Sequence, residues 1–367
     1  MTLADLIQTV KQWDLSSTDD RVDAAGRFDS ATGRFENILS RLEWFGRNEW
    51  NRYLPAENGE RSTQYMVRLA EWIGNVDTDE ERQLLLEYAL HVAFFSHEDL
   101  CALYRTAFSG VITRWVIDQE KLSFDNADFQ VRLAEELHQR TWYCPVTDSM
   151  DINEFYHANH IVGVAHRPGF ALLKMLDEPM DQDSADSPTR LMKNLEKYIG
   201  DPNPRSAAPP LKRIVLLEDF VGTGIQSAGA LKWAAKNLGL PILFVPLVIC
   251  APGVKALLKI AEMHSANVRV SPLLKLDERD LLGNSRIDKP GIPNAEKIEK
   301  LARDTFQKVA GGQHTNLNLA PHTAFGFKET GASFVSYSNT PNNTLPLIHH
   351  RPKSGEWRPL FPRTARV

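Results

Sequence analysis

Two adjacent acids stand between an apolar run and a glycine-rich turn within residues 213–231, RIVLLEDFVGTGIQSAGAL. The apolar run Arg213–Leu217 predicts a buried strand, which would fix Glu218 and Asp219 at the carboxyl edge of a sheet. Two carboxylates in that position can accept hydrogen bonds from a ribose diol or hold a metal-bound water. The segment therefore predicts a site for a polar ligand rather than a purely structural turn.

The turn that follows the acids offers groups suited to a phosphate. Its glycines let the backbone approach a ligand closely and reach conformations that other residues avoid. The backbone N–H groups of the turn, the hydroxyls of Thr223 and Ser227, and the N-terminus of the next helix can all donate to phosphate oxygens. The predicted phosphate loop comprises Gly222, Thr223, Gly224, Ile225, Gln226 and Ser227.

Strand-like and helix-like runs alternate around this segment. Their order predicts an α/β fold with a mainly parallel sheet and helices on both faces, and ligands of such sheets bind beyond the carboxyl ends of the strands. The runs are strands at Arg213–Leu217, Ile242–Ile249 and Val268–Leu276 and helices at Ala228–Leu238 and Gly253–Met263. Short further strands are expected at Ile161–Ala165 and Ala332–Tyr337.

The amino-terminal part of the chain is predicted to be helical. Apolar residues recur at helical spacing in Glu80–Phe95 and in Glu98–Val116, where Gly110 permits a break. We therefore expect a helical N-terminal domain over residues 1–144 and an α/β domain with a C-terminal tail over residues 145–367. Core or interface positions are expected for the tryptophans of the helical part, Trp13, Trp44, Trp50, Trp72 and Trp115.

Composition restricts the class of protein. The chain has 367 residues, of which 24% are charged, and a net charge of −5. This overall negative charge does not indicate a nucleic-acid partner, although a local basic patch could still bind one. Three widely spaced cysteines exclude a disulfide framework and favour a reduced, cytoplasmic location. No apolar run reaches the roughly 18 residues that a membrane span needs, so no membrane association is expected.

The run of four apolar residues, two acids, two apolar residues, a variable residue and Thr-Gly resembles the ribose-phosphate motif of type I phosphoribosyltransferases. The resemblance implies that Glu218 and Asp219 contact the ribose hydroxyls and that residues 222–227 bind the 5′-phosphate. This sequence departs from the motif at Gly222, where several members carry an acid that serves as general base, and at Gln226, where Thr is usual.

A wider resemblance rests on three features: the helical amino-terminal part, the segment LEDFVGTG, and the tail, which contains FGFKETGASFVSYSNTPNNTLPLI and WRPLFPR. These features are similar to a bacterial family of phosphoribosyltransferase-like proteins found in conflict and phage-defence gene sets. The family implies an antiviral effector that acts on phosphoribosyl diphosphate or a nucleotide by transfer or cleavage at ribose C1′.

Further expectations follow from the same resemblance. It implies Mg²⁺ as cofactor, with Asp219 as a metal ligand through water, and a loop at Arg167 that receives a pyrophosphate. A simple surface turn explains Arg167-Pro168-Gly169 as well. The polar loop Asn339–Pro346 would cover the acceptor, although a capped turn explains its composition as well. The N-terminal helical domain would contact a protein partner.

The acid–glycine segment also has features of other classes of protein. A non-catalytic module that senses a nucleotide would need the same ligand-binding groups. An S-adenosylmethionine-dependent methyltransferase uses a similar turn, but the chain has no Asp/Asn-Pro-Pro-aromatic motif, its only Pro-Pro being Pro209-Pro210. A Rossmann fingerprint would require a third glycine where Ser227 stands, and a P-loop would require Gly-Lys-Ser/Thr.

Overall fold

The computed structural model describes residues 1–16, 33–57, 64–162, 169, 188–201, 208–283, 291–311 and 323–364. The chain forms two compact units. One consists of Met1–Glu98 together with Asp277–Val367, and the other of Asp99–Leu276. This division differs from the predicted one, because the boundary expected after residue 144 falls inside the second unit. The carboxyl-terminal tail shares a core with the amino-terminal helices.

The elements are numbered in chain order. The first unit begins with α1 (Leu3–Ser16), α2 (Arg34–Asn48), a 3₁₀ turn (Trp50–Arg52), α3 (Leu54–Glu57), α4 (Tyr65–Ile73), α5 (Asp79–Ala89) and β1 (Ala93–Phe95). There follow α6 (His97–Thr106), a π-helical stretch (Ala107–Ile112), α7 (Thr113–Glu120), α8 (Phe129–His138), β2 (Thr141–Pro145), α9 (Ile152–Ala158) and α10 (Pro188–Gly200). The second unit continues with β3 (Arg213–Val221), α11 (Ile225–Asn237), β4 (Ile242–Cys250), α12 (Ala251–Met263), β5 (Val268–Val270) and β6 (Leu274–Leu276). The first unit is completed by 3₁₀ turns at Glu278–Asp280 and Phe327–Glu329 and by α13 (Ala295–Ala310), β7 (Phe334–Ser336) and α14 (Pro346–His349).

The first unit is mainly helical, with β1 and β7 forming a two-stranded parallel sheet. Its core joins side chains from both ends of the sequence. The indole N–H groups of Trp72 and Trp357 both donate to the carbonyl O of Leu347, at 2.7 and 2.9 Å. Of the tryptophans predicted as core or interface residues, Trp44 is 57% exposed and the others are buried.

The second unit contains a five-stranded parallel sheet in the order β2-β3-β4-β5, with β6 also pairing with β4. All nine residues of β3 and all nine of β4 are buried, as expected for strands covered by helices on both faces. On one face, Trp142 packs with Leu231 of α11 and Leu257 of α12. On the other, the ring of Tyr143 lies 5.5 Å from that of Phe155 in α9. This architecture confirms the predicted α/β class.

A partly buried group of charges lies at the amino end of this sheet. Arg213, the first residue of β3, is 1% exposed and its guanidinium contacts Glu120 and Glu136. The ammonium of Lys212 lies 2.9 Å from a carboxylate oxygen of Glu120 and 2.6 Å from one of Glu136. Burial alone would raise the pKa of Glu136, but hydrogen bonds from Lys212 and Arg213 outweigh burial and lower that pKa.

Several predicted boundaries differ from the structure. The helix expected over Glu80–Phe95 ends at Ala89 and is followed by β1, while Glu98–Val116 is helical with a π-helical stretch around Gly110. The single strand expected over Val268–Leu276 is two short strands, β5 and β6. Ser271 and Leu273 between them still donate to β4, but Pro246 of β4, which lies opposite this gap, has no N–H to donate in return. Among the described residues, no helix combines the length and apolarity needed to cross a bilayer.

Candidate functional site

Glu218 and Asp219 lie in β3, past the end of its neighbour β2. The last β2–β3 pair is Pro145 with Leu217, whereas β4 continues alongside β3 through the pairs Glu218 with Pro246 and Val221 with Ile249. The strand is therefore four residues longer than the apolar run predicted. The two acids are 4% and 7% exposed, so they are buried toward the carboxyl end of the strand.

The loop that follows β2 provides this cover and hydrogen-bonds to both acids. The backbone N–H and hydroxyl of Thr147 donate to the two carboxylate oxygens of Glu218, at 3.0 and 2.7 Å. The hydroxyl of Ser149 donates to Oδ1 of Asp219 at 2.8 Å, and the N–H of Phe220 donates to the same oxygen at 2.8 Å. Buried carboxylates require such donors, and these four bonds supply them.

The turn after β3 leads directly into α11. Gly224 has φ of +76° and is the N-cap residue of that helix, without a side-chain cap. The first N–H groups of α11 thus have no side-chain acceptor, and the positive end of the helix dipole lies at the turn. Thr223 is half-buried, Ser227 is 4% exposed, and Ile225 and Gln226 are exposed. The N–H groups at the start of α11 and the hydroxyls of Thr223 and Ser227 are therefore the donors that the turn could offer to an anion.

A second helix begins beside this turn. The first turn of α12 approaches so closely that a Cβ on Gly253 would lie 2.8 Å from the carbonyl O of Gly222. A Cβ on Gly224 would lie 3.3 Å from the backbone of Gly253. The shape of the predicted phosphate loop is thus set by glycine–glycine packing between the turn and α12.

The sequence indicated the acids and the glycine turn but not the residues that bind the acids. Thr147 and Ser149 follow β2, and that strand was not predicted. Once Thr141–Pro145 is known to pair with β3, the hydroxyls after Pro145 fall at the same sheet edge as the acids. Arg167, the predicted pyrophosphate residue, and most of the expected strand Ile161–Ala165 lie outside the described residues.

The polar loop Asn339–Pro346 lies in the first unit, where its side chains have partners. The hydroxyl of Thr340 lies 2.8 Å from that of Tyr53, and the amide of Asn343 donates to Thr330 Oγ1 at 2.8 Å. Thr344, which is fully buried, donates to the carbonyl O of Phe334. These bonds favour a capped turn over a loop that covers an acceptor.

A parallel sheet in which one strand carries two acids and continues through a glycine turn into a helix is consistent with a phosphoribosyltransferase-like domain. The chain belongs to the PRTase-CE family, a phosphoribosyltransferase-like effector family, whose model matches residues 69–363. The match covers most of the chain and confirms the predicted family resemblance. Searches of curated proteins and of solved structures gave no significant match.

Proposed function

We propose that this chain binds the ribose 5-phosphate part of phosphoribosyl diphosphate or of a nucleotide at the carboxyl end of β3. The observation that carries the proposal is the continuity of the acid pair, the glycine turn and the uncapped start of α11 within one short segment. Glu218 and Asp219 would accept hydrogen bonds from the ribose 2′- and 3′-hydroxyls. The turn Gly222–Ser227 would bind the 5′-phosphate through its N–H groups and hydroxyls.

The reaction we propose is transfer or cleavage at ribose C1′. The bond from C1′ to its leaving group breaks with both electrons on the leaving group, and positive charge develops on the ribose ring. In this proposal the negative charges of Glu218 and Asp219 would stabilise that state, and their bonds to the hydroxyls would fix the sugar. Gly222 offers no carboxylate, so a base that activates the attacking group would come from elsewhere.

The oxygen ligands at the site fit Mg²⁺, which is bound in proteins by one or two carboxylates together with water and substrate phosphates. Asp219, whose Oδ1 already accepts two hydrogen bonds, is the residue we propose to hold the ion through a water. Mg²⁺ would supply charge compensation for a diphosphate leaving group.

A second candidate function is a module that senses a nucleotide without turning it over. Two observations favour it: Gly222 stands where a general base would be expected, and both acids are covered by the loop after β2. A protein partner that receives the signal through the N-terminal helices would complete this function, and antiviral defence is the setting that the effector family suggests.

Binding and turnover measurements distinguish these functions. The protein would be incubated with labelled phosphoribosyl diphosphate, NAD, nucleotides and S-adenosylmethionine, with and without Mg²⁺. The double variant Glu218→Gln/Asp219→Asn should lose binding, while Glu262→Gln/Asp128→Asn, which changes two exposed acids of the same unit, should retain it.

Each outcome assigns one function. Product formed in excess over protein supports the enzyme, and stoichiometric binding without product supports the sensing module. Methyl release would contradict both. Binding that survives the Glu218→Gln/Asp219→Asn substitution would show that the acids do not hold the ligand.

A further inference from the structure

The two hydroxyls that cover the acids have the oxygen–oxygen spacing of a vicinal diol. Thr147 Oγ1 and Ser149 Oγ lie 2.6 Å apart, comparable with the two oxygens of a sugar cis-diol. One contacts Glu218 at 2.7 Å and the other contacts Asp219 at 2.8 Å. These are the two carboxylates to which the proposed function assigns the ribose hydroxyls.

In the part of the chain that the structure describes, the loop after β2 lies over both acids. Both carboxylates are buried, and the loop that buries them is held at its two ends. The N–H of Val146 donates to the carbonyl O of Leu217 at 2.9 Å, and the Asp151 carboxylate accepts from two N–H groups at the start of α9. A ligand diol that bonds to both carboxylates would therefore replace the Thr147 and Ser149 hydroxyls, and residues 147–150 lie between the two anchored ends of the loop.

The covering contacts are also in competition with one another. Thr147 Oγ1, Ser149 Oγ, Glu218 and Asp219 form three close oxygen–oxygen contacts, but the two hydroxyls carry only two protons. One contact is therefore left without a hydrogen bond unless a carboxyl carries a proton. In a sugar the covalent ring holds the two oxygens together, so both protons can go to the carboxylates without this conflict.

We propose that Thr147 and Ser149 are an internal substitute for the ribose diol, closing the site until a ligand with two neighbouring hydroxyls displaces them. The inference rests on the proposed function, because it assigns the displaced positions to ribose. It also determines selectivity. A ligand with one hydroxyl leaves one buried carboxylate with one hydroxyl donor fewer, so 2-deoxyribose 5-phosphate should bind roughly 10- to 100-fold more weakly than ribose 5-phosphate.

The test is calorimetric titration of the full chain with ribose 5-phosphate and with 2-deoxyribose 5-phosphate. The double variant Thr147→Val/Ser149→Ala removes both hydroxyls but retains the hydrogen bond from the backbone N–H of residue 147 to Glu218. It should bind ribose 5-phosphate about tenfold more tightly than the wild type, because the ligand no longer competes with the internal hydroxyls. The matched control is Thr106→Val/Ser109→Ala, in which two exposed hydroxyls bonded to carbonyls of their own helix are removed. It should bind as the wild type does.

The single variant Ser149→Ala keeps the test decisive if the double variant is unstable, since Asp219 then retains the N–H of Phe220. It should show a smaller gain in affinity in the same direction. Weaker or unchanged binding by the Ser149→Ala and double variants, with wild-type binding intact, overturns the inference alone. If neither the wild type nor any variant binds ribose 5-phosphate or phosphoribosyl diphosphate, the proposed function fails and the inference fails with it.

Discussion

Gly253 faces the carbonyl oxygen of Gly222 without room for a side chain between them. A Cβ at residue 253 would lie 2.8 Å from that oxygen and 3.0 Å from a methyl carbon of Val221. The first turn of α12 thus supports the turn that follows the acids. Any substitution at residue 253 must displace the backbone that we propose to bind phosphate.

Gly253→Ala should therefore destabilise the protein by about 1–3 kcal/mol and weaken ribose 5-phosphate binding. The matched control is Gly229→Ala in α11, where an added Cβ meets no atom within 4 Å. That change should stabilise the protein by about 0.5–1 kcal/mol, because alanine is the better helix former. Urea unfolding and calorimetric titration check both variants. Equal stability of the two alanine variants would show that the turn after β3 can shift to accommodate a Cβ at residue 253 without loss of stability.

A second comparison separates backbone strain from packing at Gly224. Its φ of +76° and the φ of +62° at Gly239 are both in the left-handed region, but only at Gly224 would a Cβ have close neighbours. Each alanine substitution should lower the free energy of unfolding by about 1–2 kcal/mol, because alanine is strained in the left-handed backbone conformation. Gly224→Ala should cost more in urea unfolding and should also reduce ligand affinity, whereas Gly239→Ala should leave affinity unchanged. A loss of affinity in Gly239→Ala would mean that global stability, not the turn, controls binding.

The sequence predicted the central part of the site because its signals are local. β4 is a long apolar run, and β3 contains a shorter one that is followed directly by the acids and glycines. The sequence did not predict β2, because the five residues Thr141–Pro145 show neither alternation nor a long apolar run. Without β2 the hydroxyls of Thr147 and Ser149 had no expected position, so half of the site was missed.

The division into units also could not be predicted, for a different reason. It depends on contacts between residues far apart in sequence, such as the 2.7 Å bond from the Trp72 indole to the carbonyl of Leu347. A helical amino-terminal part and a polar tail have no local pattern that shows they share a core. Composition and periodicity describe each segment, whereas unit membership depends on which distant segments pack together.

Arg213 provides a test of stability at the opposite edge of the sheet from the acids. Replacing this buried guanidinium by methionine leaves Glu120 and Glu136 with fewer partners, and a broken buried ion pair costs roughly 3 kcal/mol or more. Arg269→Met removes an exposed arginine 4.0 Å from Asp118 and should cost under about 1 kcal/mol. Chemical denaturation should show this difference, with the ribose 5-phosphate affinity of both variants unchanged. Equal losses of stability would mean that the buried network contributes nothing specific.

Glu136 makes the contribution of this network dependent on pH. Its folded-state pKa is lowered from 4.5, so its contribution is fully present above about pH 4.5 and is lost as the pH falls through the folded value. The stability difference between the wild type and Glu136→Gln should therefore be largest near neutral pH and should shrink in acid. Unfolding free energies between pH 3 and pH 7 measure it. A difference that stays constant across that range would exclude the ion pairs as its source.

His349 gives the first unit its own dependence on pH. Burial, and then the positive charges of Arg363 and His350, lower the pKa of His349 from 6.5 to about 3. Its Nε2–H donates to the carbonyl O of Thr344 at 3.0 Å, and Nδ1 has no hydrogen-bond partner among the described residues. The folded protein therefore holds this imidazole neutral under conditions in which the unfolded chain protonates it.

Since the unfolded state binds the extra proton, the stabilising contribution of neutral His349 is complete above pH 6.5 and declines as the pH falls toward 3. His349→Gln keeps a donor for Thr344 but cannot titrate in this range. Between about pH 6.5 and pH 4 the wild type should lose roughly 3 kcal/mol more stability than this variant. Unfolding free energies measured across that interval check the difference, and imidazole NMR signals should show no titration of His349 near pH 6.5 in the folded protein. A signal assigned to His349 that titrates there would mean that water reaches the ring, and the two stability curves would then run parallel.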